Sequence, residues 1–352
     1  MAISTKSGSI YFLRERDYLS GEISPYVKIG LVRDEKATEY RIAEHQTGNP
    51  RQIVDFKTLK SPFVEYLETQ LHYRYAHYWI AGEWFVLDEE RLGTVVSEAK
   101  SLIKQFKRHR GSILESQKLS KVESIYPERK VGKNERAWAV KLRRVKLRKD
   151  VLEAQRVIVS SQLRSVLGSA GSIDGVASVV KKEGGISFDK TAFETVHPFI
   201  YKKYLNIEKM ELSGSFTLRS KMQLRHEEPK LYEAMHSAKE EVGKLRHKIS
   251  SKTIRRSADI ENLHTEYLEV QRQIYITDWE YHKLEAALKN AVGLSKGLEG
   301  LCGWNRTIQT KIEFNQKQFK EERPRLYEKF QLNKPITLAI SINPCRPYAF
   351  KH

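Results

Sequence analysis

Residues 8–95 alternate between short apolar runs and two amphipathic segments. The runs "IYFL", "YVKIGLV" and "IVDF" are rich in β-branched and aromatic residues, which favours strands. The second amphipathic segment places Phe63, Leu67, Leu71 and Tyr75 at intervals of four, so one face of a helix packs inward. The pattern predicts a small domain in which strands pack against two helices.

From about residue 96 the pattern is helical. A long helix is predicted where apolar residues recur at spacings of three, four and seven, at Trp138, Leu142, Val145, Leu152, Val159, Leu163 and Val166. Its opposite face is basic and carries Lys141, Arg143, Arg144, Lys146, Arg148 and Lys149. A solvated helix face and a surface that contacts phosphates both explain this run of charges, and the two interpretations stay open.

The C-terminal half contains an internal repeat. The segment "ISFDKTAFETVHPFIYKKYL" (186–205) aligns without gaps with "IEFNQKQFKEERPRLYEKFQ" (312–331). Shared positions include Phe188/Phe314, Phe193/Phe319 and Tyr201/Tyr327. Each copy follows a helix and a glycine-containing loop and precedes a short apolar run, "SFTLRS" or "TLAISI". Because the two copies share these residues and the same flanking segments, the sequence predicts a duplicated helix–strand–helix–strand unit.

Two heptad runs lie between the copies. Their apolar positions are Leu231, Met235, Ala238, Val242, Leu245 and Ile249, then Ile260, Leu263, Tyr267, Val270 and Ile274. An antiparallel hairpin would set the two repeats side by side, whereas one long helix with a stutter would hold them apart or build a dimer. We favour the hairpin. A homodimer or higher oligomer through this helical region stays open.

These patterns divide the chain into five regions. They are a small α/β domain at 1–95, a basic helical linker at 96–150, a first C-terminal repeat at 151–225, a helical hairpin or coiled coil at 226–279, and a second repeat at 280–352. The fold class is therefore α+β, with a mainly helical region after the first domain.

Charge is distributed unevenly over a chain of net charge +18. Residues 1–95 carry 12 Lys/Arg against 14 Asp/Glu, a net of −2, while residues 96–150 carry 17 against 6, a net of +11. A basic band beside a near-neutral domain predicts a phosphate-rich partner, because Lys and Arg contacts release condensed counterions. DNA, RNA and an anionic membrane surface all meet that description. For DNA, the candidate contacts are Lys141, Arg143, Arg144, Lys146 and Arg148.

Composition excludes several other classes. The two cysteines, Cys302 and Cys345, have no CxxC spacing, which argues for a reducing compartment and against a thiolate zinc site. No stretch approaches 18 uninterrupted apolar residues and no signal peptide is visible. The expectation is a cytoplasmic protein with no membrane segment.

Five short motifs occur in order across residues 10–85. They are "SIYFL", "YVKIG", "YRIAEHQTGNP", "ETQLHYRY" and "GEWFVL". This order resembles the GIY-YIG endonuclease superfamily, in the branch common in phage and prokaryotic proteins where Lys-Ile-Gly replaces Tyr-Ile-Gly. The resemblance covers about residues 8–90. It implies a three-stranded antiparallel sheet flanked by helices, and hydrolysis of phosphodiester bonds with Mg²⁺ or Mn²⁺.

The residues themselves support such chemistry. If the first two strands pair, Tyr11 and Lys28 become neighbours, and the ammonium should lower the pKa of the phenol so that it accepts a proton from water. Gly30 should let a phosphate backbone approach the sheet. Arg41 and His45, at i and i+4 of one helix, should face a scissile phosphate together.

Glu83, in "GEWF", is a charge placed directly before a run that should be buried. Turned to solvent, it would need no partner; beside cations and donors, it could hold one hard metal ion. By similarity, Tyr11 is the first-motif tyrosine, Lys28 the second-motif polar residue, Arg41 the helix arginine and Glu83 the metal ligand. For His72 we expect a structural contact ahead of a catalytic one.

The tail also resembles a known family. Residues 284–330 are similar to the region after the catalytic core of YqaJ-type phage recombination exonucleases, with a glycine loop, a tryptophan and a Pro-x-Leu-Tyr helix.

Taken together, the motifs, the charge distribution and these resemblances predict a Mg²⁺-dependent DNA endonuclease in a phage or anti-phage (phage defence) setting. The alternative is a non-catalytic DNA-binding protein that uses the same fold.

Overall fold

The computed structural model describes residues 3–34, 38–47, 49–245 and 248–350. The N-terminal part contains five strands and three α-helices. They are β1 (Gly8–Arg16), β2 (Ile23–Arg33), α1 (Thr38–Gln46), β3 (Gln52–Ser61), α2 (Val64–Arg74), β4 (Trp79–Ala81), β5 (Trp84–Val86) and α3 (Glu89–Leu119). The α+β class is confirmed.

All five strands form one antiparallel sheet in the order β3-β1-β2-β5-β4. The expected three strands are present, and the β4–β5 hairpin adds two more beyond the resemblance. Gly82 forms the hairpin turn with φ 55, a left-handed conformation that glycine adopts without strain. Strand alternation sends Ile10 and Phe12 to the face covered by α2 and α3, and Tyr11 to the opposite face.

The remaining chain is mainly helical with short strands. Its elements are α4 (Lys133–Leu167), β6 (Ser172–Ile173), β7 (Ala177–Lys182), β8 (Ile186–Phe188), α5 (Lys190–Val196), α6 (Pro198–Lys203), β9 (Leu205–Ser213), β10 (Thr217–Leu218), α7 (Leu224–Glu227), α8 (Pro229–Lys244), β11 (Thr253–Ile254), α9 (Ala258–Val292), β12 (Gly297–Leu298), β13 (Cys302–Gly303), β14 (Thr307–Phe314), α10 (Gln316–Glu322), α11 (Pro324–Lys329), β15 (Gln331–Asn333) and β16 (Thr337–Ile342). Within the described residues, no helix combines the length and apolar character needed to cross a membrane.

The duplicated unit is confirmed, and its two copies interlock. Strand β8 pairs with β15, and β9 pairs with β14, so each copy contributes one strand to each pair. Phe188 of the first copy stacks on Tyr327 of the second, and Phe314 of the second stacks on Tyr201 of the first. These are equivalent contacts in opposite directions, as a pseudo-twofold arrangement requires.

The duplication extends upstream of the aligned segments. The helices α4 and α9 each have 35 residues and each ends at a glycine with positive φ, Gly168 and Gly293. The strand after one copy pairs with the glycine loop of the other: β16 with β7, and β10 with β13. The two halves therefore complete each other's small sheets.

The heptad region forms neither of the two expected arrangements. A single long helix is ruled out, because α8 ends at Lys244 and α9 begins at Ala258, with β11 between them. The favoured hairpin is also wrong, because both helices pack chiefly against α4 and not along each other. The apolar stripe of a heptad defines a buried face without defining its partner.

The first predicted domain boundaries fall inside helices. Residue 95 lies within α3, and residue 150 lies within α4. The region 96–150 is therefore no linker: Val96, Ala99 and Phe106 of α3 are buried in the core of the N-terminal sheet.

Candidate functional site

The tyrosine of the first motif lies across the glycine of the second. Tyr11 on β1 pairs with Gly30 on β2 in the antiparallel register. A Cβ atom at Gly30 would lie 2.4 Å from the Tyr11 Oη, so only glycine leaves room for the ring. The Tyr11 ring thus gives a separate reason for glycine at this position, and the approach of a phosphate backbone at Gly30 stays a prediction.

Two side chains of α1 converge on the phenol. The Nε2 of His45 lies 3.0 Å from the Oη of Tyr11. Arg41, one turn earlier, also donates a hydrogen bond to Tyr11 and forms an ion pair with Glu44. The spacing of four residues in the sequence thus brings both side chains to one point, as expected.

The protonation of this pair differs from the expectation. Burial raises the pKa of Tyr11 to about 12, and the negative charge of Glu83 adds to the rise while Arg41 opposes it. Burial lowers the pKa of His45, and the charges of Lys28 and Arg41 lower it further. At neutral pH Tyr11 therefore keeps its proton and donates it to the neutral imidazole.

Lys28 pairs with Glu83 and not with the phenol. Its register partner on β1 is Leu13, two residues beyond Tyr11, and its Nζ lies 2.9 Å from the Oε2 of Glu83. The Lys28 side chain is 11% exposed and that of Glu83 is 37% exposed. The predicted lowering of the phenol pKa by this ammonium is therefore wrong, since Glu83 takes the cation.

Backbone contacts fix Glu83 at the mouth of the site. Its carbonyl accepts a hydrogen bond of 2.9 Å from the N–H of Ile29, directly after the β4–β5 turn. The next residue, Trp84, pairs with Lys28 across the strands and packs beside Tyr11. The ammonium of Lys28 lies 5.6 Å from the Trp84 ring centroid, a cation–π contact.

A second carboxylate, that of Glu68, is influenced electrostatically by Glu83. Glu68 of α2 is partly buried, and burial followed by the charge of Glu83 raises its pKa to about 7, against a hydrogen bond from the Leu31 backbone. Sequence reasoning missed this residue, although it opens the segment "ETQLH". The signal was its place one helical turn before His72.

His72 has the structural role expected for it. It is buried, its Nε2 donates a hydrogen bond of 2.8 Å to the Ile29 carbonyl, and its ring packs against Trp79 and Phe85. Because a carbonyl oxygen can only accept, the imidazole is held as the Nε2–H form.

The carboxylates can be compared with the needs of a metal ion. No group of three or more His, Cys, Asp or Glu side chains that could enclose a metal occurs in the part of the chain that the structure describes. Mg²⁺ nevertheless binds through one or two carboxylates while it keeps waters and substrate oxygens. The exposed carboxylate of Glu83 fits that kind of open site.

The basic residues predicted on α4 lie apart from this site and face in different directions. Lys141, Arg144 and Arg148 are exposed, whereas Arg143 and Lys146 are half-buried. The structure therefore leaves three of the five on an accessible face.

A second basic surface, the lysine groove, lies on the N-terminal part itself. It runs between β3 and α3, has a volume of about 400 Å³, and is lined by Lys60, Lys100, Lys104, Lys107, Leu59 and Ile103. All four lysines are exposed, and no carboxylate occurs among the described lining residues. Sequence reasoning missed it, although residues 99–114 contain no acidic residue.

Comparison with known proteins covers only the first part of the chain. No curated protein and no solved structure matches the sequence. Residues 8–100 match the family model of the T5orf172 domain, a phage-associated domain related to endonuclease folds, and this match suggests a nuclease-like or DNA-binding domain.

Proposed function

We propose that this protein is a metal-dependent DNA endonuclease of the GIY-YIG type. The observation that carries the proposal is the convergence of Tyr11, Lys28, Arg41, His45 and Glu83 on one face of the sheet. These residues come from four separate elements or turns, with Arg41 and His45 both on α1, and each is linked to another by a hydrogen bond or ion pair. Proton acceptors, cations and an exposed carboxylate together supply what phosphodiester hydrolysis needs.

Tyr11 and His45 provide a path for the proton of the attacking water. As the water oxygen forms its bond to phosphorus, the water proton passes to the Oη of Tyr11. Tyr11 gives its own proton to the Nε2 of His45, 3.0 Å away. The bond from phosphorus to the leaving oxygen breaks, and that oxygen takes a proton from solvent. A relay suits a phenol whose pKa of about 12 keeps it protonated at rest.

The charged residues stabilise the phosphate during attack. The guanidinium of Arg41 can donate two hydrogen bonds to nonbridging oxygens. Glu83 would hold the metal ion. When bound, Mg²⁺ or Mn²⁺ supplies charge stabilisation and makes a water easier to deprotonate. The ion pair with Lys28, at 2.9 Å, would orient the Glu83 carboxylate.

Basic surfaces outside the site hold the substrate. Residues 1–95, at net −2, cannot retain DNA by charge. The lysine groove lies on the same structural unit as the site, and the exposed Lys141, Arg144 and Arg148 on α4 provide further positive charge. Each phosphate contact releases counterions, so binding should weaken steeply as salt increases.

Cleavage of plasmid DNA with Mg²⁺ by the wild type and by Glu83→Ala tests the proposal. We expect the wild type to cut and Glu83→Ala to lose about 10²-fold or more in rate, because it lacks the carboxylate that holds the metal ion. Glu22→Ala, which removes an exposed carboxylate outside the site, is the matched control and should cut like the wild type. Equal cleavage by the wild type and Glu83→Ala, or none by the wild type on supercoiled, linear and branched substrates, contradicts the proposal.

A non-catalytic DNA-binding protein is the second candidate. The ion pair between Lys28 and Glu83 favours it, because that pair satisfies the carboxylate without a metal ion. This candidate predicts salt-dependent DNA binding that is unchanged by chelation of divalent ions, and no cleavage.

For the duplicated C-terminal module, similar to a YqaJ-type tail, we propose DNA handling or assembly in a phage or anti-phage setting. Light scattering on DNA-free protein distinguishes the two roles. A defined oligomer indicates assembly, whereas a monomer leaves DNA handling.

A further inference from the structure

A basic cavity is formed by residues between Arg156 and Ile342, none of which belongs to the candidate active site. Its volume is about 370 Å³, and α4, α8, α9 and β16 enclose it. The charged and polar residues that line it are Arg156, Arg164, Lys239, Ser160, Ser161 and Tyr267, and none of the described lining residues is a carboxylate. We refer to it as the α4–α8 cavity.

Two of its three cations lack a countercharge. Arg156 is paired with Glu153 at 2.7 Å and also donates to the Tyr267 phenol. Arg164 and Lys239 form no ion pair with any described residue, and the buried Nε of Arg164 has no hydrogen-bond partner among them. A buried N–H without a partner is unfavourable, so an acceptor in this cavity would relieve it.

The charge balance selects the class of ligand. A carboxylate would neutralise one of the two unpaired cations, whereas a phosphate monoester carries close to two negative charges at neutral pH. The planar guanidinium of Arg164 is suited to two phosphate oxygens, and the Lys239 ammonium adds a point charge. The serine hydroxyls are further donors.

The rest of the wall is apolar. Its apolar residues are Val157, Val242, Ile340 and Ile342. A purely ionic ligand would leave these side chains without a matching contact. A pocket of this volume accommodates more than one phosphate group. We propose that the α4–α8 cavity binds a phosphate monoester joined to an apolar or aromatic group, which is the chemistry of a nucleotide. The source is either a free nucleotide or the terminal phosphate of a DNA strand.

Calorimetric titration of the full-length protein tests this site without any need for nuclease activity. The probes are deoxyadenosine 5′-monophosphate, inorganic phosphate and deoxyadenosine. We expect the monophosphate to bind, inorganic phosphate to bind more weakly, and deoxyadenosine not to bind. Arg164→Gln and Lys239→Gln should each weaken binding of the monophosphate about tenfold, the loss of a charge-assisted contact.

Matched variants separate the cavity from general positive charge. Arg136→Gln on α4 and Lys230→Gln on α8 remove exposed cations outside the cavity and should bind the monophosphate like the wild type. Lys239 is exposed, so its substitution should not disturb folding. Arg164 is less exposed, and Arg164→Lys keeps the positive charge at that position.

Oligonucleotides identify the source of the phosphate. If a DNA end is the ligand, a 5′-phosphorylated strand binds more tightly than its 5′-hydroxyl counterpart, and Arg164→Gln removes that difference. If a free nucleotide is the ligand, both strands bind alike while the monophosphate still binds. No binding of the monophosphate by the wild type, equal binding by Arg164→Gln and Lys239→Gln, or equal binding of deoxyadenosine overturns the proposal.

Discussion

Gly30 is the residue at which the smallest change should have a large effect. Alanine there would place a methyl group 2.4 Å from the Tyr11 Oη, so the ring must leave its position beside His45. We expect Gly30→Ala to lower the free energy of unfolding by about 1–3 kcal/mol and to reduce cleavage. Thermal unfolding and a cleavage assay measure the two effects.

Gly93→Ala is the control for that change. Gly93 lies on an exposed turn of α3 with no atom within 4 Å of an added Cβ. Alanine should stabilise the helix by about 0.5–1 kcal/mol. If Gly30→Ala were as stable and as active as Gly93→Ala, the close packing of Tyr11 on Gly30 would be wrong.

His45 should set the acid side of the pH dependence of cleavage. The proposed relay needs a neutral imidazole, and burial lowers the pKa of His45 below its usual 6.5. Cleavage should therefore persist as pH falls to 6.5 and decline only below it, where His45 gains a proton and can no longer accept one from Tyr11. Single-turnover rates between pH 5 and 9 measure this profile.

His45→Gln removes the titrating group from that position. We expect its rate to be about 10²-fold or more below wild type at neutral pH, with no decline that follows a histidine pKa. A profile in His45→Gln that keeps the wild-type rate and the wild-type acid limb would eliminate the relay.

At the scale of elements, the shared aromatic core of the duplicated unit makes each copy depend on the other. Phe193 and Phe319 are equivalent, fully buried, and lie 4.6 Å apart between ring centroids. We expect Phe193→Ala and Phe319→Ala to destabilise the module by similar amounts, about 3–5 kcal/mol each. Chemical denaturation followed by near-ultraviolet circular dichroism measures the loss.

Phe199→Ala is the matched control, since that ring is 82% exposed. It should change stability by less than about 0.5 kcal/mol. Two separate unfolding transitions, one affected by each substitution, would show that the copies fold as separate units.

Elements were predictable from the sequence where local pattern determines them. Hydrophobic periodicity and the positions of glycine and proline predict the long helix α4, the duplicated unit and the strands β1 to β3. The hairpin β4–β5 was harder, because three-residue strands are too short for alternation to be read. The partner of each heptad helix was not predictable, since an apolar stripe specifies a buried face and not what covers it.

The candidate site was predictable to the same degree. The order of motifs identified Tyr11, Lys28, Arg41, His45 and Glu83, and the structure brings them together. It did not reveal that Lys28 pairs with Glu83, because that depends on the strand register and on the turn at Gly82. Glu68 was missed because its proximity to Glu83 arises from packing of α2 on the sheet.

At the scale of the whole molecule, the N-terminal sheet shares its core with the C-terminal half. Leu268, Trp279 and Ala286 of α9 are buried in the same cluster as Phe63 and Phe106. The buried carboxylate of Asp278 accepts hydrogen bonds from Tyr66 of α2 at 3.1 Å and from Lys149 of α4 at 2.7 Å. Helix α9 is therefore a structural part of the nuclease-like unit.

A fragment of residues 1–95, although it contains every proposed catalytic residue, should consequently fail to fold. The fragment ends within α3 and therefore lacks both Phe106 and Trp279. The rings of these two residues pack against each other and against the ring of Tyr66. Losing two such aromatic side chains from a core costs about 3–5 kcal/mol each, which is comparable to the whole stability of a small domain. A fragment of residues 1–119 restores α3 but still exposes the face that α9 covers. We expect both fragments to give poorly dispersed amide proton spectra and no Mg²⁺-dependent cleavage, while the full chain gives a folded spectrum. A folded and active 1–95 fragment would show that α9 is dispensable for the unit whose core it completes.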